Sequence, residues 1–274
     1  MQGIGQQPLL EIKNLNVRFR TKDDSASVLH HVDFTLAQGE MLGIVGETGA
    51  GKSVLLQSIL NMLPANSVIE GEIRIEGSNL LRMDEKHLRR IRGRKIGLIV
   101  SNPKRVLDPI QTVGAQIVNT LRSHQKLSKS QAKQEAIAML QQLEIPEATY
   151  RFNAYPHELS GGMCQRIVIA MALINQPGLI LADEPTSGLD VTVQRQVLDL
   201  MADLIHERQT STIIVTRDMG IVAQYCSKVA VIKDGAIVEI NEVNRFFQSP
   251  DHEYSRQLLE LTLAERGDTD EGAT

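Results

Sequence analysis

The chain has 274 residues, a formal net charge of −4 and an apolar content of 42%, which is ordinary for a globular protein with a sizeable core. The net charge argues against a general nucleic-acid binder, and the absence of Trp with only 3% aromatic residues argues against base-stacking surfaces. No signal-peptide pattern and no bilayer-spanning apolar run is found, so any membrane role is expected to come through a partner.

Alternating or continuous apolar runs predict five strands in the first hundred residues. They lie at Leu9–Phe19, in VLHHVDFTL, at Met41–Gly46, in GEIRIEG and at Lys95–Val100. Thr21–Ser27 is predicted to be a polar turn, and Ser53–Leu63 has the spacing of a helix that stops at Pro64.

Two helices are predicted in the middle, at Thr112–His124 and at Ser128–Leu143, the second opened by a capping serine. Apolar strands return at Leu179–Ala182, Thr212–Thr216 and Lys228–Glu239, and the last of these turns at Asp234-Gly235. Helix-like segments follow from Asn241. Strands that alternate with helices indicate an α/β fold with a mainly parallel sheet covered on both faces.

A glycine-rich segment, GETGAGKS, matches the pattern G-x-x-x-x-G-K-[ST] between a predicted strand and a predicted helix. Glycines let backbone amides converge on phosphate oxygens, and the helix dipole favours the same anion. Lys52 is expected to reach the β- and γ-phosphates of ATP, and Ser53 to ligate Mg²⁺. The alternative is a glycine-rich turn that only joins strand to helix. The candidate ATP-binding residues are Gly46, Glu47, Thr48, Gly49, Ala50, Gly51, Lys52 and Ser53.

Two acidic residues end the buried strand in LILADEP. Because burial of unpaired carboxylates is costly, this strand end is expected to face a cation or solvent. Asp183 is predicted to hold Mg²⁺, directly or through water, and Glu184 to polarise the attacking water. Taken alone, the pair would be interpreted as a helix-capping acidic loop. The catalytic interpretation is favoured by the nearby segment GETGAGKS, which we call the phosphate loop.

A third motif, LSGGM, lies between these two, and the three together resemble the nucleotide-binding subunits of ABC transporters. The subfamily most similar is that of bacterial oligopeptide, dipeptide and nickel importers, because VSNPKRVLDPIQTVGAQI and FFQSPDHEYSRQLL also follow its pattern. The resemblance covers nearly the whole chain. It implies a P-loop NTPase cassette with a RecA-like core, an antiparallel β subdomain and an inserted helical subdomain. The expected boundaries are 1–111 and 174–240 for core and β subdomain, 112–173 for the helical subdomain and 241–274 for a helical tail.

The resemblance also implies partners. Backbone amides at the start of an apolar helix form a second anion site, which in the family faces the phosphate loop of a second subunit. The signature residues are Leu159, Ser160, Gly161, Gly162 and Met163. Phe19 lies near the position of the family's adenine-stacking aromatic residue, with a core strand residue as the alternative.

The chain departs from the family pattern at two positions. The family has histidine where this chain has Arg217, and glutamine where it has Ser101. Serine is too short to reach the metal without water, and arginine cannot accept a hydrogen bond as a neutral imidazole does. These changes predict a weak or silent ATP site of the chain's own, beside an intact signature motif. Tolerated variation with normal turnover is the alternative.

The expected function is therefore that of an ATP-binding subunit of a peptide- or nickel-type importer. It would work as a heterodimer with a second ABC ATPase, together with two permease subunits and, indirectly, an extracytoplasmic binding protein, at the cytoplasmic face of the bacterial inner membrane. The alternatives are an ATPase that docks on a cytosolic enzyme complex and a non-hydrolysing ATP-gated scaffold. The transported substrate is not determined by these residues.

Overall fold

The computed structural model describes residues 7–20 and 25–270 of the chain. Residues 21–24 of the predicted polar turn and the last four residues of the predicted tail lie outside this part. Ser25–Ser27, also assigned to that turn, are instead the beginning of a strand that pairs with Arg18–Arg20. The turn prediction was wrong there because backbone pairing overrides the turn propensity of serine.

Ten strands and eleven helices are described. The strands are β1 (Leu10–Arg20), β2 (Ser25–Leu36), β3 (Met41–Val45), β4 (Ser67–Ile75), β5 (Ser78–Asn79), β6 (Ile96–Val100), β7 (Leu179–Asp183), β8 (Ser211–Val215), β9 (Lys228–Lys233) and β10 (Ala236–Glu242). The helices are α1 (Lys52–Ile59), α2 (Glu85–Ile91), α3 (Pro103–Val106), α4 (Val113–His124), α5 (Lys129–Gln142), α6 (Ala148–Arg151), α7 (Gly161–Leu173), α8 (Val191–Glu207), α9 (Met219–Tyr225), α10 (Val243–Gln248) and α11 (Glu253–Asp270).

Contacts divide the chain into two compact units, one formed by residues up to Met83 and from Ile213 onward, the other by Asp84–Thr212. The first unit contains an antiparallel sheet in the order β2-β1-β4-β5. Its alternating pattern buries one face of β1 and leaves polar residues on the other. The predicted strands at Leu9–Phe19, VLHHVDFTL and GEIRIEG are confirmed.

A second group of strands in the first unit follows the order β10, β9, β3 and the part of β8 from Ile213 onward. Strands β3 and β9 are parallel, whereas β9 and β10 form the predicted hairpin. Asp234 and Gly235 both have positive φ, 46° and 78°, as a tight two-residue hairpin turn requires. Strand β3 is buried over most of its length and ends at Val45, directly before the phosphate loop.

Helix α1 is shorter than predicted and ends at Ile59 rather than at Leu63. Asn61 has a left-handed backbone with φ 49°. The Asn61 amide donates to the Ser58 carbonyl, and the Met62 amide donates to the Gln57 carbonyl, both at 2.9 Å. This is the Schellman arrangement, which satisfies the last helical carbonyls. The left-handed Asn61 therefore ends the helix before the chain reaches Pro64.

The C-terminal helices α10 and α11 belong to the first unit and pack against its strands. Phe246 is fully buried, and Tyr254 and Leu259 join it in a core cluster with side chains from β3 and β9. Glu239 of β10, only 7% exposed, accepts hydrogen bonds at 2.9 Å from the backbone amides of Asp251 and His252. A buried carboxylate thus satisfies the amides that lead into α11.

We expect Glu239→Gln to destabilise the fold by about 1–2 kcal/mol at pH 7, because it removes a charged acceptor from the two backbone amides that precede α11. Burial alone would raise the pKa of Glu239, but hydrogen bonds from its neighbours lower it below the ordinary 4.5. The stabilisation by Glu239 is therefore complete above the pKa that its carboxyl has in the unfolded chain, and it is lost as the pH falls through the lower pKa of the folded chain. Urea unfolding at pH 7 and at pH 4 measures this, with exposed Glu242→Gln as the control. An equal difference at both pH values would contradict it.

The second unit contains the parallel pair β6 and β7 and most of the helices. Helix α4 packs on α5 and α7, and α7 also contacts β6 and α8. Ser128 caps α5, as predicted, and the structure adds a full capping box. Helix α7 is buried over most of its circumference, which makes it the centre of this unit.

Candidate functional site

The phosphate loop, Gly46–Ser53, joins β3 to α1 in the first unit. A side chain at Gly46 would collide with the Ile232 carbonyl oxygen, so only glycine lets the loop approach β9. Gly51 has φ 101° and precedes the helix without any side-chain cap. An uncapped helix start leaves backbone amides available to an anion.

Lys52 is the buried cation of this loop, with 7% of its surface exposed. Its Nζ donates to the carbonyl oxygens of Gly46 at 2.6 Å and Glu47 at 2.7 Å. The ammonium is thus held over the loop by backbone dipoles. The adjacent Ser53 hydroxyl lies in an exposed residue. The donor set is an ammonium, backbone amides and a hydroxyl, which fits a phosphate group with a hydrated divalent cation.

Arg217 follows strand β8, which lies beside β3 in the first unit. The Thr216 amide donates to the Ile44 carbonyl at 3.2 Å, so the end of β8 is fixed to the strand that leads into the phosphate loop. Arg217 itself is exposed, and Asp218 behind it caps the start of α9. The structure therefore brings Arg217 to the strand edge from which the phosphate loop emerges.

The second unit brings Ser101, Asp183 and Glu184 together. Val100 and Asp183 are register partners in the parallel pair β6 and β7. Ser101 and Glu184 therefore follow the same edge of the sheet. Glu184 has a left-handed backbone with φ 44°, a conformation that costs free energy outside glycine and is concentrated at functional sites.

The signature motif LSGGM lies at the start of α7 in the same unit. Ser160 is the N-cap, and its Oγ accepts a hydrogen bond from the Met163 amide at 3.3 Å. Gly162 packs closely on α8, since an added Cβ would lie 2.6 Å from Val193 Cγ1 and would force that side chain to shift. Ser160 and Gly161 are exposed, whereas Leu159 is buried. The motif therefore presents a capped helix start toward solvent.

Two aromatic residues of the first unit, Phe19 and Tyr254, also bear on the candidate site. Phe19 is half-buried near the end of β1. Tyr254 was not singled out by the sequence, yet its hydroxyl accepts a hydrogen bond from the Glu47 amide of the phosphate loop at 3.3 Å. The only available signal was its place in the segment FFQSPDHEYSRQLL, which carries no information on a contact 207 residues away.

Among the side chains that the structure describes, no group of three or more His, Cys, Asp or Glu residues could hold a metal ion. Mg²⁺ in nucleotide sites is commonly held by one or two protein oxygens, with the phosphates and water completing its shell. Such a site requires little more of the protein than a hydroxyl such as that of Ser53 and one carboxylate.

The phosphate loop between a buried strand and a helix, in an α/β fold with an antiparallel sheet, defines a P-loop nucleotide-binding cassette. The chain belongs to the ABC transporter family, whose match covers residues 29–187. It is 45% identical over 253 residues to an oligopeptide transport ATP-binding protein of Bacillus subtilis, covering 92% of this chain and 71% of that protein. It is 42% identical over 255 residues to a dipeptide transport ATP-binding protein of the same species, with 92% and 76% covered.

Solved structures support the same fold. The chain superposes with a TM-score of 0.76 on an ATP-binding cassette solved as a dimer in a post-hydrolysis state with ADP and phosphate. The two are 27% identical, and the match covers 85% of this chain and 98% of that one. The expected ABC cassette fold is confirmed.

Proposed function

We propose that this protein is the ATP-binding subunit of a bacterial importer for peptides and that it couples ATP binding and hydrolysis to substrate uptake. The observation that carries the proposal is the phosphate loop, in which buried Lys52 and an uncapped helix start converge. Oligopeptide and dipeptide transport proteins among the relatives favour peptides as the substrate class. Nickel, which the subfamily also includes, remains the second substrate class to be tested in uptake assays.

The roles proposed for individual residues follow the resemblance. Gly46–Ser53 bind the phosphates of ATP, Lys52 supplies the charge, and Phe19 stacks on adenine. Ser53 and Asp183 ligate Mg²⁺, and Glu184 polarises the attacking water. Phe19 is half-buried rather than core, as a ligand-stacking side chain requires.

We propose further that this chain's own ATP site has low activity. Ser101 replaces a glutamine and Arg217 a histidine of the family pattern, and both follow strands at the positions expected of catalytic side chains. Arginine has no hydrogen-bond acceptor and keeps its charge, so it favours holding the γ-phosphate over positioning water. Ser101 is half-buried and Arg217 is exposed, so core packing dictates neither substitution.

The proposed assembly is a heterodimer with a second ABC ATPase, bound to two permease subunits at the cytoplasmic face of the inner membrane. An extracytoplasmic binding protein would deliver the substrate. Between residues 7–20 and 25–270, no helix combines the length and apolarity needed to cross a bilayer. The signature motif would complete the partner's ATP site, and its exposed residues Ser160 and Gly161 are accessible for such a contact.

The test of the phosphate loop is Lys52→Ala. We expect it to weaken binding of Mg·ATP by about 1.5–3 kcal/mol, because it removes a charge-assisted contact to phosphate. Titration calorimetry on the purified chain measures the affinity, and Lys126→Ala, which removes an exposed lysine, is the control. Unchanged affinity in Lys52→Ala would show that nucleotide does not bind at this loop.

A further inference from the structure

We propose that Tyr254 is a positioning residue of the phosphate loop, through which the C-terminal segment sets the affinity for nucleotide. The inference rests on the proposed binding of ATP at this loop. It concerns one peptide group, between Gly46 and Glu47, and the tyrosine hydroxyl that holds it from the side of α11.

The peptide between Gly46 and Glu47 is hydrogen-bonded at both of its polar groups. Its carbonyl oxygen accepts from Lys52 Nζ at 2.6 Å, and its N–H donates to the Tyr254 hydroxyl at 3.3 Å. The carbonyl and N–H of a trans peptide point in opposite directions. Tyr254 therefore fixes the plane of the peptide whose carbonyl holds the Lys52 ammonium.

Tyr254 is well placed to act as a rigid support. It is only 6% exposed and lies in the core cluster with Val45, the last residue of the strand that precedes the loop. Lys233 Nζ lies 4.7 Å from the centre of its ring, within the range of a cation–π contact. Packing on several sides locks the ring, so its hydroxyl is held without further loss of side-chain entropy on nucleotide binding.

The backbone around Tyr254 is also fixed. Its amide donates to His252 Nδ1 at 3.1 Å, and the amides of Asp251 and His252 donate to buried Glu239. A chain of hydrogen bonds therefore connects β10, the start of α11 and the phosphate loop within one unit. Any change that loosens the start of α11 is transmitted to Glu47 through one side chain.

The protonation state agrees with this role. Burial raises the pKa of the Tyr254 phenol, so the hydroxyl stays neutral near pH 7. A neutral hydroxyl accepts from the Glu47 amide and keeps its own proton as a donor. The loop contact is therefore constant at physiological pH, and the coupling depends on the conformation of the tail.

Coupling of this kind is reciprocal. If the tail favours the nucleotide-binding conformation of the loop, bound nucleotide stabilises the tail by the same factor. A protein that contacts α11 would then alter ATP affinity without touching the nucleotide. This gives the segment FFQSPDHEYSRQLL a function beyond packing.

The experiment removes the hydroxyl alone. We expect Tyr254→Phe to weaken Mg·ATP binding about threefold to tenfold, the effect of one hydrogen bond, while the urea midpoint of the nucleotide-free chain falls by no more than the loss of that one bond explains. The Glu47 amide should also exchange with solvent faster in the variant when followed by NMR. Tyr150→Phe removes the hydroxyl of a 71% exposed tyrosine and is expected to change none of these quantities.

The outcomes separate the two proposals. If Lys52→Ala binds ATP more weakly than wild type and Tyr254→Phe binds it as wild type does, only the role of Tyr254 is overturned. A lowered midpoint with unchanged Glu47 exchange would assign Tyr254 a purely structural role and would also overturn it. If wild type does not bind ATP, both proposals fail. Should Tyr254→Phe not fold, Tyr254→Met keeps an apolar side chain of similar reach and is measured against the same expectations.

Discussion

Ser160→Arg is expected to abolish ATP hydrolysis by the assembled transporter, with a loss of at least about a hundredfold. Ser160 caps α7 through its hydrogen bond to the Met163 amide. Arginine removes this cap and places a bulky cation at a helix start, where the dipole disfavours positive charge. In the proposed heterodimer this helix start faces the partner's nucleotide, so the side chain would fill the space of the γ-phosphate.

Glu184→Gln in the same chain alters the chain's own ATP site and is measured beside Ser160→Arg. We expect a loss of less than about threefold, because the chain's own ATP site is already impaired by Ser101 and Arg217. In a competent site, removal of the general base would cost far more. Steady-state phosphate release by the reconstituted transporter measures both variants. Ser128→Arg, which removes a different N-cap serine at α5, controls for the loss of a cap alone.

A strong loss in both Ser160→Arg and Glu184→Gln would contradict the asymmetric heterodimer. Glu184 would then be required for turnover, and Arg217 would be a working replacement for the family's histidine. If Ser160→Arg had no effect, the signature motif of this chain would not contact a nucleotide at all. Each outcome assigns a role to a named residue, since the two substitutions lie in motifs proposed to serve different ATP sites.

Local signals explain which elements were predictable. The capping serine of α5, the Asp234-Gly235 turn and the phosphate loop each depend on residues fewer than ten positions apart, and the structure places all three as expected. The end of α1 was predicted four residues too late because the left-handed conformation of Asn61 was not considered. Asparagine tolerates this conformation, but many asparagines do not adopt it.

The contact between Tyr254 and Glu47 lies beyond any local signal. The residues are 207 positions apart. The sequence around Tyr254 is equally compatible with a core residue of an amphipathic helix. The left-handed backbone of Glu184 is similarly invisible, since it arises where β7 ends and the chain turns toward α8. Both depend on tertiary packing that brings distant segments together.

Restoring the family residues is expected to raise the activity of the purified chain, where the signature motif of a second copy would take the place of the partner's. Wild type should bind Mg·ATP and hydrolyse it poorly, because Ser101 and Arg217 supply neither the long amide nor the neutral imidazole of the family pattern. The double variant Ser101→Gln with Arg217→His should hydrolyse ATP at least about tenfold faster, since positioned proton-transfer groups contribute about 10²–10⁴-fold. Phosphate release at saturating Mg·ATP measures the effect.

The control adds Glu184→Gln to the restored chain. Its turnover should fall back to the wild-type level, because a restored histidine and glutamine still require a base to polarise water. Ser101→Gln with Arg217→Lys keeps the positive charge and is expected to stay slow, which separates the loss of arginine from the gain of imidazole. Brisk hydrolysis by the wild-type chain, abolished by Glu184→Gln alone, would show that Ser101 and Arg217 are compatible with catalysis. That result would contradict the proposal that the chain's own ATP site has low activity, but not the proposal that ATP binds at Lys52.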